Sequence, residues 1–131
     1  MVIPGLIEMH CHILPGVDDG SKDTETSVKM LRRLALQGAE TVVLTPHYYS
    51  DSISLADFIA RRNAAFANLQ AALPPDAPRL LLGAEVYVSR YLMNNADLTP
   101  ICITGTRCAL LEHNFSDNFG TETLDRITAL T

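Results

Sequence analysis

Four histidines, fifteen carboxylates and three cysteines are the groups of this 131-residue chain that could do chemistry. His10 and His12 flank Cys11. On an extended strand, residues two apart share a side, so both imidazoles can reach one cation while Cys11 faces away as a buried filler beneath the first helix. Thr45-Pro46-His47 sets a third imidazole directly behind a β-branched run, where Pro46 removes a backbone donor and ends the ladder. Gly83-Ala84-Glu85 and Leu111-Glu112 finish two apolar runs in a carboxylate, whose burial calls for a cation or a basic neighbour. From His12 the successive intervals to His47, Glu85 and Glu112 are 35, 38 and 27 residues. A mixed imidazole and carboxylate set suits manganese, iron or zinc better than thiolate-seeking ions. Taken singly, each residue has a plainer reading: alternating histidines, a histidine bonded in a turn, an exposed glutamate. Their recurrence at one end of successive strands favours a shared metal site. His113 should point elsewhere if its strand continues, as a structural residue or a support for a ligand. Asp18 and Asp19 read first as turn residues bonding nearby amides, and second as support for His12 or a substrate contact.

The elements that must position these groups alternate in type. Short apolar runs at Leu6–His12, Thr41–Thr45, Leu80–Ala84 and Cys108–Leu111 read as strands. A helix is expected from near Asp23 to Gly38, with Val28, Leu31 and Ala35 on its buried face. A second carries Leu55, Phe58, Ile59, Ala65, Phe66, Leu69 and Leu73 at helical spacing until Pro74-Pro75. Weaker helical stretches fall at Ser89–Asn94 and Glu122–Leu130. Continuous apolar strands alternating with helices mean an α/β fold with a parallel sheet, whose strand C-termini converge on one face.

Composition narrows the field. Apolar residues at 47% and charged residues at 19% permit one core and exclude global disorder. The net charge of −5, with no dense basic stripe, argues against nucleic acid as a partner. No apolar run approaches the roughly 20 residues that span a bilayer, and no signal peptide is visible, so membrane insertion is not expected. Three cysteines are a poor disulfide scaffold, which points to a reducing cytoplasm. A cysteine phosphatase needs an arginine six places beyond its nucleophile, but that position after Cys11 is Val17, and Arg107 comes one residue too early after Cys102. No nucleotide P-loop sequence occurs.

The run His10-Cys11-His12-Ile13-Leu14-Pro15-Gly16-Val17-Asp18-Asp19-Gly20-Ser21-Lys22-Asp23 resembles the opening of the PHP (polymerase and histidinol phosphatase) superfamily. It is most similar to the manganese-dependent tyrosine phosphatases of bacterial capsule and exopolysaccharide operons. Thr45-Pro46-His47-Tyr48, Gly83-Ala84-Glu85-Val86-Tyr87 and Leu110-Leu111-Glu112 follow in the same order at similar intervals. Glu8 stands where the family more often has aspartate. The resemblance implies a TIM-like (βα)7 barrel holding two to three ions, manganese first, with iron and zinc as alternatives. It implies His10, His12, His47, Glu85 and Glu112 as ligands, with Glu112 bridging two ions. It also implies metal-assisted hydrolysis of phosphotyrosine, on a bacterial tyrosine kinase of polysaccharide synthesis. Residues 1–131 would then be a single partial domain of about four βα units, cut at the C-terminus. The later-strand ligands and the phosphate-binding arginine of the family would be absent, so little turnover is expected of this chain alone. Open sheet edges would favour a homo-oligomer. A histidinol-phosphatase-like activity on small phosphoesters is the enzymatic alternative, and a non-catalytic half barrel mediating assembly is another. Amidohydrolases also open with His-x-His, but many need a lysine on a middle strand. Both lysines here, Lys22 and Lys29, precede the second strand.

Overall fold

A computed structural model describes residues 2–89, 91–92, 97–114 and 120–129. Six strands and three helices follow one another as β1 (Leu6–Cys11), α1 (Thr24–Leu36), β2 (Ala39–Leu44), β3 (His47–Tyr48), α2 (Leu55–Ala71), β4 (Arg79–Leu82), β5 (Glu85–Tyr87), β6 (Leu110–Glu112) and α3 (Thr121–Ala129). A 3-10 turn spans Thr99–Ile101. All strand pairs are parallel, in the orders β1-β2-β4 and β3-β5-β6. The fold is α/β, as the alternation of apolar runs and helical periods indicates.

Where the strands stop differs from expectation. The runs ending at Thr45 and Ala84 do not terminate there. Each is interrupted for two residues and resumes, as β3 after Thr45-Pro46 and as β5 after Gly83-Ala84. Pro46 has no N–H to donate, which breaks the regular ladder for one step. Its carbonyl still accepts from Glu85 N at 3.0 Å, while Thr45 N donates to Cys11 O at 3.0 Å and Gly83 N to Leu44 O at 2.9 Å. These bonds carry the sheet through the break, so the lower and upper ladders are consecutive stretches of the same chain segments. Proline and glycine therefore act as joints here. The fourth strand also runs slightly later than the Cys108–Leu111 expectation, at Leu110–Glu112.

The helices form for local reasons. Asp23 caps α1, its carboxylate accepting from Thr26 N at 2.8 Å, and Glu25 sits in the positive first turn. Gly38 follows the C-cap with φ 101°, a conformation costly for any side chain, and an added Cβ would lie 2.2 Å from Ile3 O. Ser54 caps α2 by accepting from Asp57 N at 3.1 Å. Helix α2 ends at Ala71, just before Pro74-Pro75. Of the expected Ser89–Asn94 helix, half the residues lie outside those described.

Between the sheet and the helices lies the core, with Leu14, Leu31, Val42, Leu44, Tyr48, Phe58, Leu69 and Val86 all nearly inaccessible. Each such side chain removed from water contributes about 1.5–3 kcal/mol before entropy is counted. One polar intruder shares the stripe of α2. Arg62 is 4% exposed, donating to Gly83 O at 3.1 Å and Pro100 O at 2.9 Å, with its guanidinium 5.8 Å over the Phe58 ring. It fastens the Gly83 joint to the helix.

Candidate metal centre

β1 must aim two histidines at the side of the sheet away from the helices, and simple alternation from Leu6 would send both to the helix side. Leu6 and Cys11 both pack toward the core although they are an odd number of residues apart. The register explains it: Glu8 pairs with Val42 and Cys11 with Leu44, so β1 carries one extra residue between them. That bulge turns His10 and His12 to the face opposite the helices. The Glu8 carboxylate accepts from His10 N at 3.0 Å within it. Cys11 points the other way, as expected, its thiol donating to Val43 O at 3.3 Å. Burial pushes that thiol up to about 12, which leaves it protonated and chemically quiet.

The same alternation works cleanly in the upper sheet. Tyr48 and Val86 face the core, so His47 and Glu85 face the other side, where His47 pairs in register with Glu85. Glu112 comes from β6, paired with Tyr87. The five expected residues are thus brought together. Glu85 Oε2 lies 3.0 Å from His10 Nε2, 3.3 Å from His12 Nε2 and 3.2 Å from His47 Nδ1. His47 Nδ1 is also 3.1 Å from Glu112 Oε2, and the Nε2 atoms of His10 and His12 are 3.3 Å apart.

Three sets of side chains offer ligand atoms close enough for one ion each: His10, His12 and Glu85; His12, Asp19 and His47; His47, Glu85 and Glu112. Glu85 belongs to two of these sets, as do His12 and His47, and Glu112 belongs to one. His47 Nδ1, Glu85 Oε2 and Glu112 Oε2 are buried without a hydrogen-bond partner, although they face one another. Two carboxylate oxygens and an imidazole nitrogen, stripped of water and aimed at one point, are costly unless a cation lies between them. The donor set, imidazole nitrogen with carboxylate oxygen, fits a borderline divalent ion.

Two aspartates do more than close a turn. Asp18 Oδ1 accepts from Gly20 N at 3.0 Å, which is the expected turn bond. Its Oδ2 is 2.8 Å from His12 Nδ1 and accepts from His47 N at 3.1 Å, so one carboxylate orients two candidate ligands. Burial alone would raise the Asp18 carboxyl, but the bonds from His12, Gly20 and His47 outweigh it and hold it below the ordinary carboxylate range. With Nδ1 bonded to the carboxylate, His12 turns Nε2 toward Glu85 as the nitrogen that would ligate. Asp19 is exposed and stands 3.7 Å from His47 Nε2. The tandem Asp18-Asp19 between Gly16 and Gly20 was the available sequence signal, and turn chemistry masked it. Gly20 is required by contact: a Cβ there would lie 2.0 Å from His12 O. Tyr49 stacks on His47 with ring centres 5.2 Å apart and donates to Glu112 Oε1 at 3.5 Å. Burial and then Glu112 push its phenol up to about 12, so it remains a donor. His113 bonds the carbonyl of Asn114 and takes no part in the three sets.

Several known proteins are similar to this chain. The tyrosine-protein phosphatase YwqE of Bacillus subtilis (strain 168) is 34% identical over 84 residues, 63% of this chain and 33% of its own length. The tyrosine-protein phosphatase CpsB of Streptococcus agalactiae is 25% identical over 115 residues, 87% of this chain and 47% of its own. The chain spans about half the length, or less, of the curated relatives it matches. Among solved structures, the work on YwqE from Bacillus subtilis and CpsB from Streptococcus pneumoniae, described as unique metal-dependent tyrosine phosphatases, provides a fold match. Its TM-score is 0.61 at 23% identity, covering 94% of this chain and 51% of that one. The family described as capsular polysaccharide synthesis, CpsB/CapC, matches residues 6–129. With its strands, its spacing and that match in agreement, this chain belongs to the CpsB/CapC family.

Proposed function

We propose that this chain carries the metal-binding portion of a metal-dependent phosphoester hydrolase that removes phosphate from tyrosine in proteins of capsule or exopolysaccharide synthesis. The observation that carries it is the buried meeting of His47 Nδ1, Glu85 Oε2 and Glu112 Oε2, each without a hydrogen-bond partner. His10, His12, His47, Glu85 and Glu112 are the proposed ligands, with Asp19 completing a third set. Three imidazoles favour manganese, iron or zinc over magnesium, which prefers oxygen and keeps its waters. When bound, such ions make water a competent nucleophile at neutral pH and offset charge gathering on phosphoryl oxygens.

The residues of the chain do the positioning. Asp18 fixes the His12 tautomer, the Gly83 joint delivers Glu85, and Tyr49 steadies Glu112 by donating to it. The neighbour order β1-β2-β4 and β3-β5-β6, with successive βα units side by side, supports the reading of four units from a (βα)7 PHP barrel. No described helix is long and apolar enough to cross a membrane, which fits a cytoplasmic phosphatase meeting a bacterial tyrosine kinase there. Ile7 and Met9, exposed on the edge strand β1, support a homo-oligomer.

The test has two arms. Calorimetric titration of the metal-free chain with Mn²⁺ should show stoichiometric binding that is lost in Glu85→Gln. Phosphate release from a phosphotyrosine peptide by a full-length relative carrying these residues should vanish in chelator and return with manganese more than with magnesium. Activity undiminished in excess chelator, or no manganese binding, refutes the proposal.

A further inference from the structure

Beside the three ligand sets opens a cavity of about 430 Å³, bounded by the β1–α1 loop, the tail of β3, the turn before α2 and the first turns of α2 itself. That size lies within the range of small-molecule sites. Its lining is of two kinds. Asp18, Asp19 and His47 belong to the metal centre or support it, while Val17, Ile53 and Phe58 are apolar, with Ser52 beside Ile53. The apolar part is built from framework: Val17 and Phe58 are buried, and Tyr48 packs beneath Phe58 with ring centres 4.9 Å apart. Tyr49, stacked on His47, adds a flat aromatic face to the lining. Arg61 closes the rim, its guanidinium donating to Gly16 O at 2.8 Å and so tying α2 to the β1–α1 loop.

Resting on the phosphatase reading above, we propose that this cavity is the aryl subsite, taking the phenyl ring of a phosphotyrosyl side chain against Val17, Ile53 and Phe58 while the phosphate faces His47 and Asp19. The polarity of the cavity selects the substrate class. A phosphate beside Asp18 and Asp19 is repelled unless cations lie between, which the ligand sets provide for. Against the apolar part a charged aminoalkyl group, as on a histidinol phosphate, would need a carboxylate. It would find three apolar side chains and the cationic Arg61 instead. A neutral flat ring loses nothing there and gains burial. Ile53 is then a specificity-determining residue, and it makes none of the described contacts among the ligand sets.

Phenylphosphonate, which cannot be hydrolysed, and methylphosphonate, which lacks the ring, separate the two kinds of lining. Zinc binding to the 131-residue chain is measured first by calorimetry. The zinc-loaded chain with labelled isoleucine methyls is then titrated with each phosphonate and followed by NMR. The expected result is a nuclear Overhauser contact between the phenyl protons and the Ile53 methyl, none to Ile103, which lies outside the cavity lining, and tighter binding of phenylphosphonate by about tenfold or more. Ile53→Trp, which fills the apolar part, should bring that ratio close to one while methylphosphonate and zinc bind as before. Ile53→Ala should reduce the ratio severalfold and serves if the larger side chain disturbs folding. Equal affinity for the two phosphonates in the zinc-loaded wild type, or a phenyl contact elsewhere, overturns the aryl subsite and leaves the metal reading intact. Failure of zinc to bind removes the metal reading and the subsite with it.

Discussion

Replacing Asp18 with asparagine should weaken metal binding without changing a single proposed ligand. The carboxylate is 5% exposed and serves three N–H groups: Gly20 N on Oδ1, and His12 Nδ1–H with His47 N on Oδ2. An amide has only one oxygen to offer. With its oxygen toward His12 and His47, its NH2 meets the N–H of Gly20. With the amide turned over, the NH2 meets His47 N–H and donates to His12 Nδ1, so the imidazole proton moves to Nε2, the nitrogen that faces Glu85. Either orientation opposes two donors, and the second also removes a ligand atom. Loss of such a support behind a metal-binding histidine costs 10–100-fold in affinity. That is about 1.4–2.7 kcal/mol. The metal-free fold should also lose about 2 kcal/mol, since hydrogen bonds to a charged acceptor are replaced by a conflict. Competition for Mn²⁺ against a chromophoric chelator measures the first quantity, and urea unfolding in EDTA the second. Manganese affinity within twofold of wild type would show that Asp18 only closes its turn, and that the His12 orientation comes from elsewhere.

Gly20→Ala should destabilise the chain by about 3 kcal/mol and weaken metal binding together, because its Cβ must displace the His12 carbonyl that it would meet at 2.0 Å. Thermal unfolding with and without Mn²⁺ reads both effects, and a neutral result would mean the loop moves freely. Ellman's reagent at pH 8 should modify exposed Cys108 first and leave Cys11 until unfolding, since the buried Cys11 thiol is pushed up to about 12. Cys11→Ser should accordingly keep manganese affinity within a few-fold. Asp23 is held below the usual carboxylate value, first by Thr26 N. A depressed folded pKa contributes stability that is full above the unfolded value near 3.9 and fades as pH falls through the folded one. The gap in urea midpoint between wild type and Asp23→Ala should therefore be widest above about pH 5 and close in acid. A gap independent of pH would place the capping effect in backbone conformation instead. Arg62→Met should cost about 2–4 kcal/mol, because Gly83 O and Pro100 O lose their donors in the core. Arg62→Lys should recover only part of it, and full recovery would argue that charge alone matters.

How much was legible depended on whether a signal was repeated along the chain. The strands and helices show as apolar runs and helical periods, each several residues long, so that a single misread position changes little. His10, His12, His47, Glu85 and Glu112 were legible because each follows an apolar run at a similar interval, and parallel strands turn such a series into one locus. What was illegible rests on single events. Pro46 and Gly83 carry the usual marks of a strand end, yet the carbonyl of Pro46 and the N–H of Gly83 stay in the ladder, so the strands resume beyond them. The bulge between Glu8 and Cys11 is one surplus residue that only the partner strand reveals. Arg62 stands in line with Phe58 and Leu69 on α2, and a charged residue on a buried stripe could have been flagged as a joint to another segment.

The illegible features share a place in the molecule. The Pro46 break, the Gly83 joint, the β1 bulge and the Asp18 loop all sit at the level where the ligand atoms meet. A regular ladder there would alternate strictly, and from Leu6 it would send His10 to the helices. Departures from regularity are what bring side chains from four consecutive segments to one point, and each departure needs its own restraint: Glu8 on the His10 amide, Arg62 on the Gly83 carbonyl, Asp18 on the His47 amide. Each restraint is a charged side chain bonded to backbone, stronger than a neutral pair at the same spot. Removing one should loosen the ligand it serves more than it unfolds the sheet, because the apolar core continues on both sides of the joints, from Val42, Leu44 and Leu69 to Tyr48 and Val86.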